Sequence, residues 1–563
     1  MVPGEVNLKK LFLEKKYNEL ILIIEEKIPE KSKNSALINL LGVCRLLRQK
    51  SNKENLLLAI GDFRKAFSKE KKTKSALESL RNFINTSITL HDYQSTPDNF
   101  KTSAKLFEEA LTFFNEDKDY LSKDEALVIG VIGIYKRLTR IDKIIFYLGE
   151  LLRQKYFRPL TICSLIYNNC YFDNWSQDKF LEYGKLLDKN LPIYHDTKLI
   201  SPNKTKKKKM KIGFFSADIK RKHSVSYFLK TVINHYDKNK YEIFLYLNHE
   251  PSLDDETTKY FKDRVNKTIN LLSLNDVEAI NLIRGDRIDV FIDLMGISSE
   301  SRLALVKNRV APIQISWCGF CNTTGIQEMD YIIADPNLIY NSEKNLYSEK
   351  IIFLPNVWNC HSGINKKRSF NPSPFIKKKE ITFGSFNNLN KINDSVIEVW
   401  SNILKTVKNS KLILKPSAPR MTYFLSKKFD EKKVLGSIKF EPTTKDFDEH
   451  MNTYKKIDIA LDTFPFNGVT TSFESIWMGV PVLTLKGYNF NSRCGESINK
   501  NLNLEYLIAK DEREYILKAK ELAEDNNILL NIRNKIFEDA ITSPLFNTKK
   551  FSDNFFNSLD LVK

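Results

Sequence analysis

Thr470 and Thr471, followed by Glu474, lie in the stretch IDIALDTFPFNGVTTSFESIWMGVPVLTL. Residues 457–461 read as a buried strand, Asn467-Gly468 as a turn, Thr470 onward as a helix, and 480–485 as a second strand. In such a βαβ unit the carboxyl end of the first strand and the amino end of the helix share a crevice. Free N–H groups and the helix dipole attract anions there. The threonine hydroxyls can then bind phosphate oxygens while the carboxylate grips two adjacent ribose hydroxyls. Equally, Thr471 can be an N-cap and Glu474 its capping-box acid.

Other residues stand where a second substrate group would need them. His223 follows the apolar strand 212–215, at the edge where a βα loop opens, and suits binding or proton transfer. In FGSFNNLNKIND, Asn388 and Lys391 occupy the equivalent edge of a later strand, and a lysine there can neutralise a departing diphosphate. His450 sits in the helix just before the 457–461 strand. Cys318 and Cys321 form a CxxC without a second pair or a histidine pair at ligand spacing, which reads as a tight loop, and Cys360-His361 reads as a packed pair.

The elements that must position these groups fall into three blocks. Residues 1–200 show apolar positions at helical spacing and few glycines, an all-helical domain. Within it Leu41-Gly42 precedes Ala59, Phe63 and Ala66, a small residue facing an A-x3-F-x2-A helix, which is tetratricopeptide-like; Ala104, Phe107 and Ala110 hint at a second unit. Such helix pairs build concave surfaces for protein partners. After a polar linker at 201–211, residues 208–375 alternate apolar strands with helices, and 380–563 repeat the pattern. Strands apolar on both faces, alternating with helices, predict two doubly wound α/β domains of parallel sheet with a crevice between them.

Composition excludes several classes. The chain has 563 residues, too many for one core, and 42% of them are hydrophobic. No run approaches ~18 apolar residues, so no membrane span is expected. The start of the chain lacks a cleavable leader pattern, and seven scattered cysteines suit a reducing compartment, so a cytoplasmic protein is expected. The net charge of +19 is spread along the chain, and the lysine run at 204–211 has no interleaved aromatics, so no nucleic-acid partner is expected.

The 457–493 stretch, together with SADIKRKHSVSYF, APIQISWCGFCNTTGIQEMDYIIADP, FGSFNNLNKIND and SPLF, closely resembles the O-linked N-acetylglucosamine transferase family, protein glycosyltransferases with a GT-B fold. The likeness runs over roughly residues 208–550, and helical repeats before the catalytic half resemble that family too. It implies that Lys391 binds the diphosphate of a UDP-sugar, with Asn388 beside it. It also implies that His450 lies beside the uridine, that Thr470 and Thr471 hold the diphosphate, that Glu474 binds the ribose, and that His223 lies near sugar and acceptor. Two departures stand out. Cys321-Asn322-Thr323-Thr324-Gly325 stands where many members have a Pro-Gly-Thr-Ser-Gly loop that touches sugar and phosphate, and Ile297 stands where many members carry histidine.

The resemblance implies an inverting, metal-independent transfer of N-acetylglucosamine from UDP to Ser or Thr of a protein or peptide acceptor. No cofactor beyond the donor is expected. His223, a water chain to Asp286, or a phosphate oxygen would take the acceptor's proton. Another nucleotide sugar (UDP-glucose, GDP-fucose), an Asn acceptor, or a non-catalytic helical scaffold are the alternatives. The oligomeric state is left open.

Overall fold

The structure, a computed structural model, describes residues 8–562 apart from 49–51, 94–96, 196–208, 221–222, 363–367, 369 and 417–418. The linker residues 201–208, with most of the lysine run, lie outside the described residues. The chain divides into two compact units, Met1–Tyr156 with Ala418–Leu425, and Phe157–Ser417 with Ser426–Lys563.

Among its described residues the first unit is built of helices, from Leu8–Leu13 to Ile141–Arg153, and holds no strand. Its helices Ser35–Arg48 and Lys53–Lys69 meet where Gly42 lies against the Phe63 ring; a Cβ on Gly42 would come within 2.6 Å of that ring. The small residue therefore sets how near the two helices approach, as the A-x3-F-x2-A spacing predicts. Phe63, Phe83, Phe107 and Phe114 are fully buried and form its core.

The second unit carries two all-parallel sheets. The first has seven strands: β1 (Met210–Ser216), β2 (Tyr241–Leu247), β3 (Lys267–Asn270), β4 (Val290–Asp293), β5 (Ile313–Ser316), β6 (Tyr331–Ala334) and β7 (Lys350–Phe353), in the order β3-β2-β1-β4-β5-β6-β7. The second has six: β8 (Thr382–Ser385), β9 (Lys411–Leu414), β10 (Ile438–Phe440), β11 (Ile459–Leu461), β12 (Val482–Leu485) and β13 (Ile508–Ala509), in the order β10-β9-β8-β11-β12-β13. Central strands such as β4 (Val290–Asp293) and β11 (Ile459–Leu461) are buried along their whole length, which only helix cover on each side satisfies.

Two domain limits differ from the sequence expectation. The all-helical block expected over 1–200 ends at Tyr156, and helices Pro159–Asn169 and Gln177–Asn190 belong to the unit with the sheets. The Gln177 amide donates to Asn322 Oδ1 at 2.7 Å, and the Asn393 amide donates to the Tyr171 carbonyl at 2.9 Å. Helical periodicity says nothing about which body a helix packs on. The block expected over 380–563 also ends differently, because helix Thr548–Leu561 returns to the first sheet. Its Phe555 ring lies 4.7 Å from Trp317, and Tyr241 donates to Asp560 at 3.0 Å.

The two sheets are fastened together by Arg493, which donates to both carboxylate oxygens of Glu343 (2.6 and 2.8 Å), and by Ser497, which donates to Asp335 at 2.7 Å. Among the described residues no helix is long and apolar enough to cross a membrane.

Candidate active site

In a parallel sheet the carboxyl ends of the strands form one edge, and ligands bind there. At that edge the structure opens a cavity of about 540 Å³. The first sheet's half contributes Ser224, Tyr227 and Asp255; the second contributes Thr444 to Phe447, His450, Thr470, Thr471 and Glu474. Four of the sequence-selected residues are therefore brought together: His450, Thr470, Thr471 and Glu474.

The helix Thr470–Trp477 starts in this cavity. Its N-cap is Val469, which offers no side-chain acceptor, so its first N–H groups are left for a ligand. Glu474 is not a capping-box acid. Its Oε2 accepts from His450 Nε2 at 3.0 Å and from the Tyr454 hydroxyl at 2.8 Å, and the side chain is 5% exposed. The capping reading of Glu474 is thus replaced by a buried hydrogen-bonded carboxylate on the cavity wall. Burial pushes the Tyr454 phenol well above its usual range, and the adjacent Glu474 charge adds to this.

Lys391 follows β8. Its ammonium donates to the Asn467 carbonyl at 2.7 Å and lies 4.1 Å from the centre of the Phe466 ring, on the turn that leads into Thr470. Burial pushes its pKa down, and Asp462 opposes that shift. Asp462 itself accepts from the Gly468 N–H at 2.6 Å and the Thr484 hydroxyl at 2.8 Å, and burial raises its carboxyl to about 6. The half-buried lysine and the buried Asp462 carboxylate thus both bond to the turn before the helix, at the Asn467 carbonyl and the Gly468 N–H.

His223 is the N-cap residue of helix Ser224–His235, immediately before the cavity-lining Ser224, with Nδ1 3.7 Å from Asp218 and its side chain 45% exposed. It stands at the rim.

Three selections are corrected. Asn388 is exposed, and its Oδ1 accepts the Asn390 N–H at 3.1 Å, capping a short 3-10 turn. It is its neighbour Asn387 that meets the site, accepting from the Thr471 hydroxyl at 2.9 Å. Asp286 ends the helix Asp276–Asp286, which runs back to the amino edge of the first sheet, where it accepts from Tyr246 at 2.9 Å and Lys267 at 2.5 Å. That is the edge opposite the cavity, so the structure does not bring Asp286 to the other selected residues. Asn322, Thr323 and Thr324 are fully buried, and Glu349 gathers the Thr323 hydroxyl (2.7 Å), the Thr324 N–H (2.7 Å) and the Thr324 hydroxyl (2.5 Å). The loop exposes Gly319 instead, and it turns at the half-buried Cys318 with a φ of 76°.

Sequence reading missed Asn387, Tyr454 and Lys415. Each had a signal. Asn387 is the other half of an Asn-Asn pair, Tyr454 is four residues beyond His450 and so shares its helix face, and Lys415 follows an apolar strand as Asn387 does.

A sequence model of glycosyl transferase family 41 matches residues 181–366 and 374–555. The chain is 33% identical over 399 residues to a protein of Solanum lycopersicum named as the probable UDP-N-acetylglucosamine–peptide N-acetylglucosaminyltransferase SPINDLY, a match over 68% of this chain and 42% of that protein. It is 27% identical over 363 residues to a similarly named protein of Arabidopsis thaliana, SEC, covering 62% of this chain and 36% of that one. The chain thus spans about two fifths of the length of these relatives. Among solved structures, an O-GlcNAc transferase mutant of Thermobaculum terrenum superposes with a TM-score of 0.75 at 22% identity, over 94% of this chain and 97% of that one. That likeness shows the fold, a helical amino-terminal region followed by a GT-B pair of parallel-sheet halves. Because the family match runs through both sheets and every residue of the cavity wall, the chain belongs to glycosyl transferase family 41.

Proposed function

We propose that the chain transfers N-acetylglucosamine from UDP to a serine or threonine hydroxyl of a protein, with inversion at the anomeric carbon and without a metal ion. The observation that carries this reading is the convergence of an uncapped helix start, Thr470, Thr471 and the His450–Glu474 pair on one cavity between the sheet edges. The printed names of the relatives supply the donor and the peptide acceptor.

In this reading the diphosphate lies across the N–H groups and hydroxyls of Thr470 and Thr471, and the ribose lies on Glu474. Departure of UDP concentrates negative charge on the diphosphate. Lys391 turns from the Asn467 carbonyl to that charge, and with the helix N–H groups it stabilises the transition state more than the ground state. This protein-borne counter-charge is what makes a metal-free transfer feasible. His223 at the rim takes the acceptor's proton. The seven free cysteines suit a reducing, cytoplasmic setting.

Asn387 tests the donor geometry. Asn387→Ala frees the Thr471 hydroxyl from its partner, and the expected result is a roughly three- to tenfold weaker UDP affinity by calorimetry with little change in Tm. Asn388→Ala is expected to leave both unchanged. Equal effects of the two substitutions would contradict this placement of the diphosphate.

The whole reaction is tested by offering a panel of nucleotide sugars with a lysate as acceptor, then locating modified residues by mass spectrometry. The expected product is N-acetylhexosamine on Ser or Thr from the UDP donor. Preference for a GDP-sugar overturns the donor assignment, and modification at Asn overturns the acceptor assignment.

A further inference from the structure

Lys415 follows β9 directly, at the same sheet edge that carries Asn387 after β8. Its ammonium is hydrogen-bonded to His450 Nδ1 and donates to the Thr444 hydroxyl at 2.9 Å. An ammonium offers donors only, so Nδ1 must present its lone pair, and the imidazole proton then sits on Nε2. Nε2 faces Glu474 Oε2 at 3.0 Å, and the Tyr454 hydroxyl meets the same oxygen at 2.8 Å. Both protein donors converge on Oε2. Oε1 takes no hydrogen bond from any described residue, and Glu474 lines the cavity.

We infer that Lys415 is a positioning residue that, by fixing the His450 tautomer, holds Glu474 with Oε1 presented to the ligand in the cavity. The inference rests on the proposed reading of Glu474 as a ribose ligand and adds the group that orients it. Without Lys415, the imidazole is free to carry its proton on Nδ1. Nε2 would then oppose Glu474 lone pair to lone pair, and the carboxylate would turn away from the ribose. Burial pushes the Lys415 ammonium down while Glu474, Glu449 and Glu441 hold it up and Lys456 opposes it, so the cation is kept in place by the acid it orients.

The test is calorimetry on the full chain with UDP and with 2′-deoxy-UDP. Wild type is expected to favour UDP by about tenfold, the worth of one hydrogen bond to a charged group. Lys415→Met is expected to lose that preference by weakening UDP alone, Lys415→Arg to recover part of it, and Glu474→Ala to abolish it. Equal weakening of both nucleotides in Lys415→Met would mean that the residue only supports packing, and would overturn the inference. Full preference in Lys415→Met alongside its loss in Glu474→Ala would sink the Lys415 role and leave the ribose reading standing. Full preference in Glu474→Ala would remove the ribose reading and the inference with it. Should the methionine variant not fold, Lys415→Gln, whose amide can accept from Nδ1–H as well as donate to Nδ1, carries the same comparison.

Discussion

Lys391→Ala is expected to lower kcat for sugar transfer by about 10²–10³-fold, the effect of deleting one preorganised donor from a site of developing negative charge. The lysine's ammonium is placed by its bond to the Asn467 carbonyl and by the Phe466 face, on the turn that leads into the helix. UDP affinity should fall by roughly ten- to a hundredfold, since a charge-assisted hydrogen bond contributes about 1.5–3 kcal/mol. Uridine, which has no phosphate, should bind as before. The fold should survive, because removing a buried ammonium also removes the burial cost that pushes its pKa down. The neighbouring Asp462 keeps its bonds to the Gly468 N–H and the Thr484 hydroxyl, but it loses one of the charges that restrain its raised pKa, so its carboxyl should titrate still higher. Near wild-type turnover would mean that another group meets the leaving diphosphate. A parallel loss of uridine binding would mean that the cavity itself had collapsed.

Much of this site was legible in the sequence because the residues sit at strand ends, and strand ends are marked by the change from an apolar run to a polar one. That change placed Thr470 and Thr471 at a helix start and Lys391 behind β8. It could not choose between Asn387 and Asn388, because successive residues at a strand end point in opposite directions and the choice depends on a one-residue register. It also could not find β3, whose residues Lys267 to Asn270 are mostly polar and partly exposed at the sheet margin. Asp286 looked available because a carboxylate beside a strand is a good candidate base. Which end of the strand it occupies follows from the helix running antiparallel to the sheet, and that puts it at the wrong edge.

The loop from Asn322 to Gly325 shows most clearly how family position and physical environment can part company, and it yields the second large prediction. Gly325 has a φ of 72°, in the left-handed region. A Cβ there would lie 2.2 Å from the carbonyl carbon and 2.3 Å from the Cα of Gly184, and 2.7 Å from the Lys185 nitrogen. All three are backbone atoms of the helix Gln177–Asn190, and no side-chain rotation can relieve the overlap. Gly184 is confined in the same way, since its own Cβ would lie 2.7 Å from the Gly325 Cα. Gly325→Ala must therefore carry about 1–2 kcal/mol of left-handed strain and also push the helix off the loop. The expected total exceeds about 4 kcal/mol, at the extreme of single substitutions. It should appear as a large fall in Tm and in soluble yield, and Gly184→Ala, which meets the same backbone without the left-handed strain, should lower both by less. The gentler Thr323→Val leaves Glu349 short of one donor and should destabilise by about 1–3 kcal/mol while the ranking of nucleotide-sugar donors stays as in wild type. A changed donor ranking in Thr323→Val, with Tm intact, would return this loop to the sugar and remove its role as the clamp between helix and sheet.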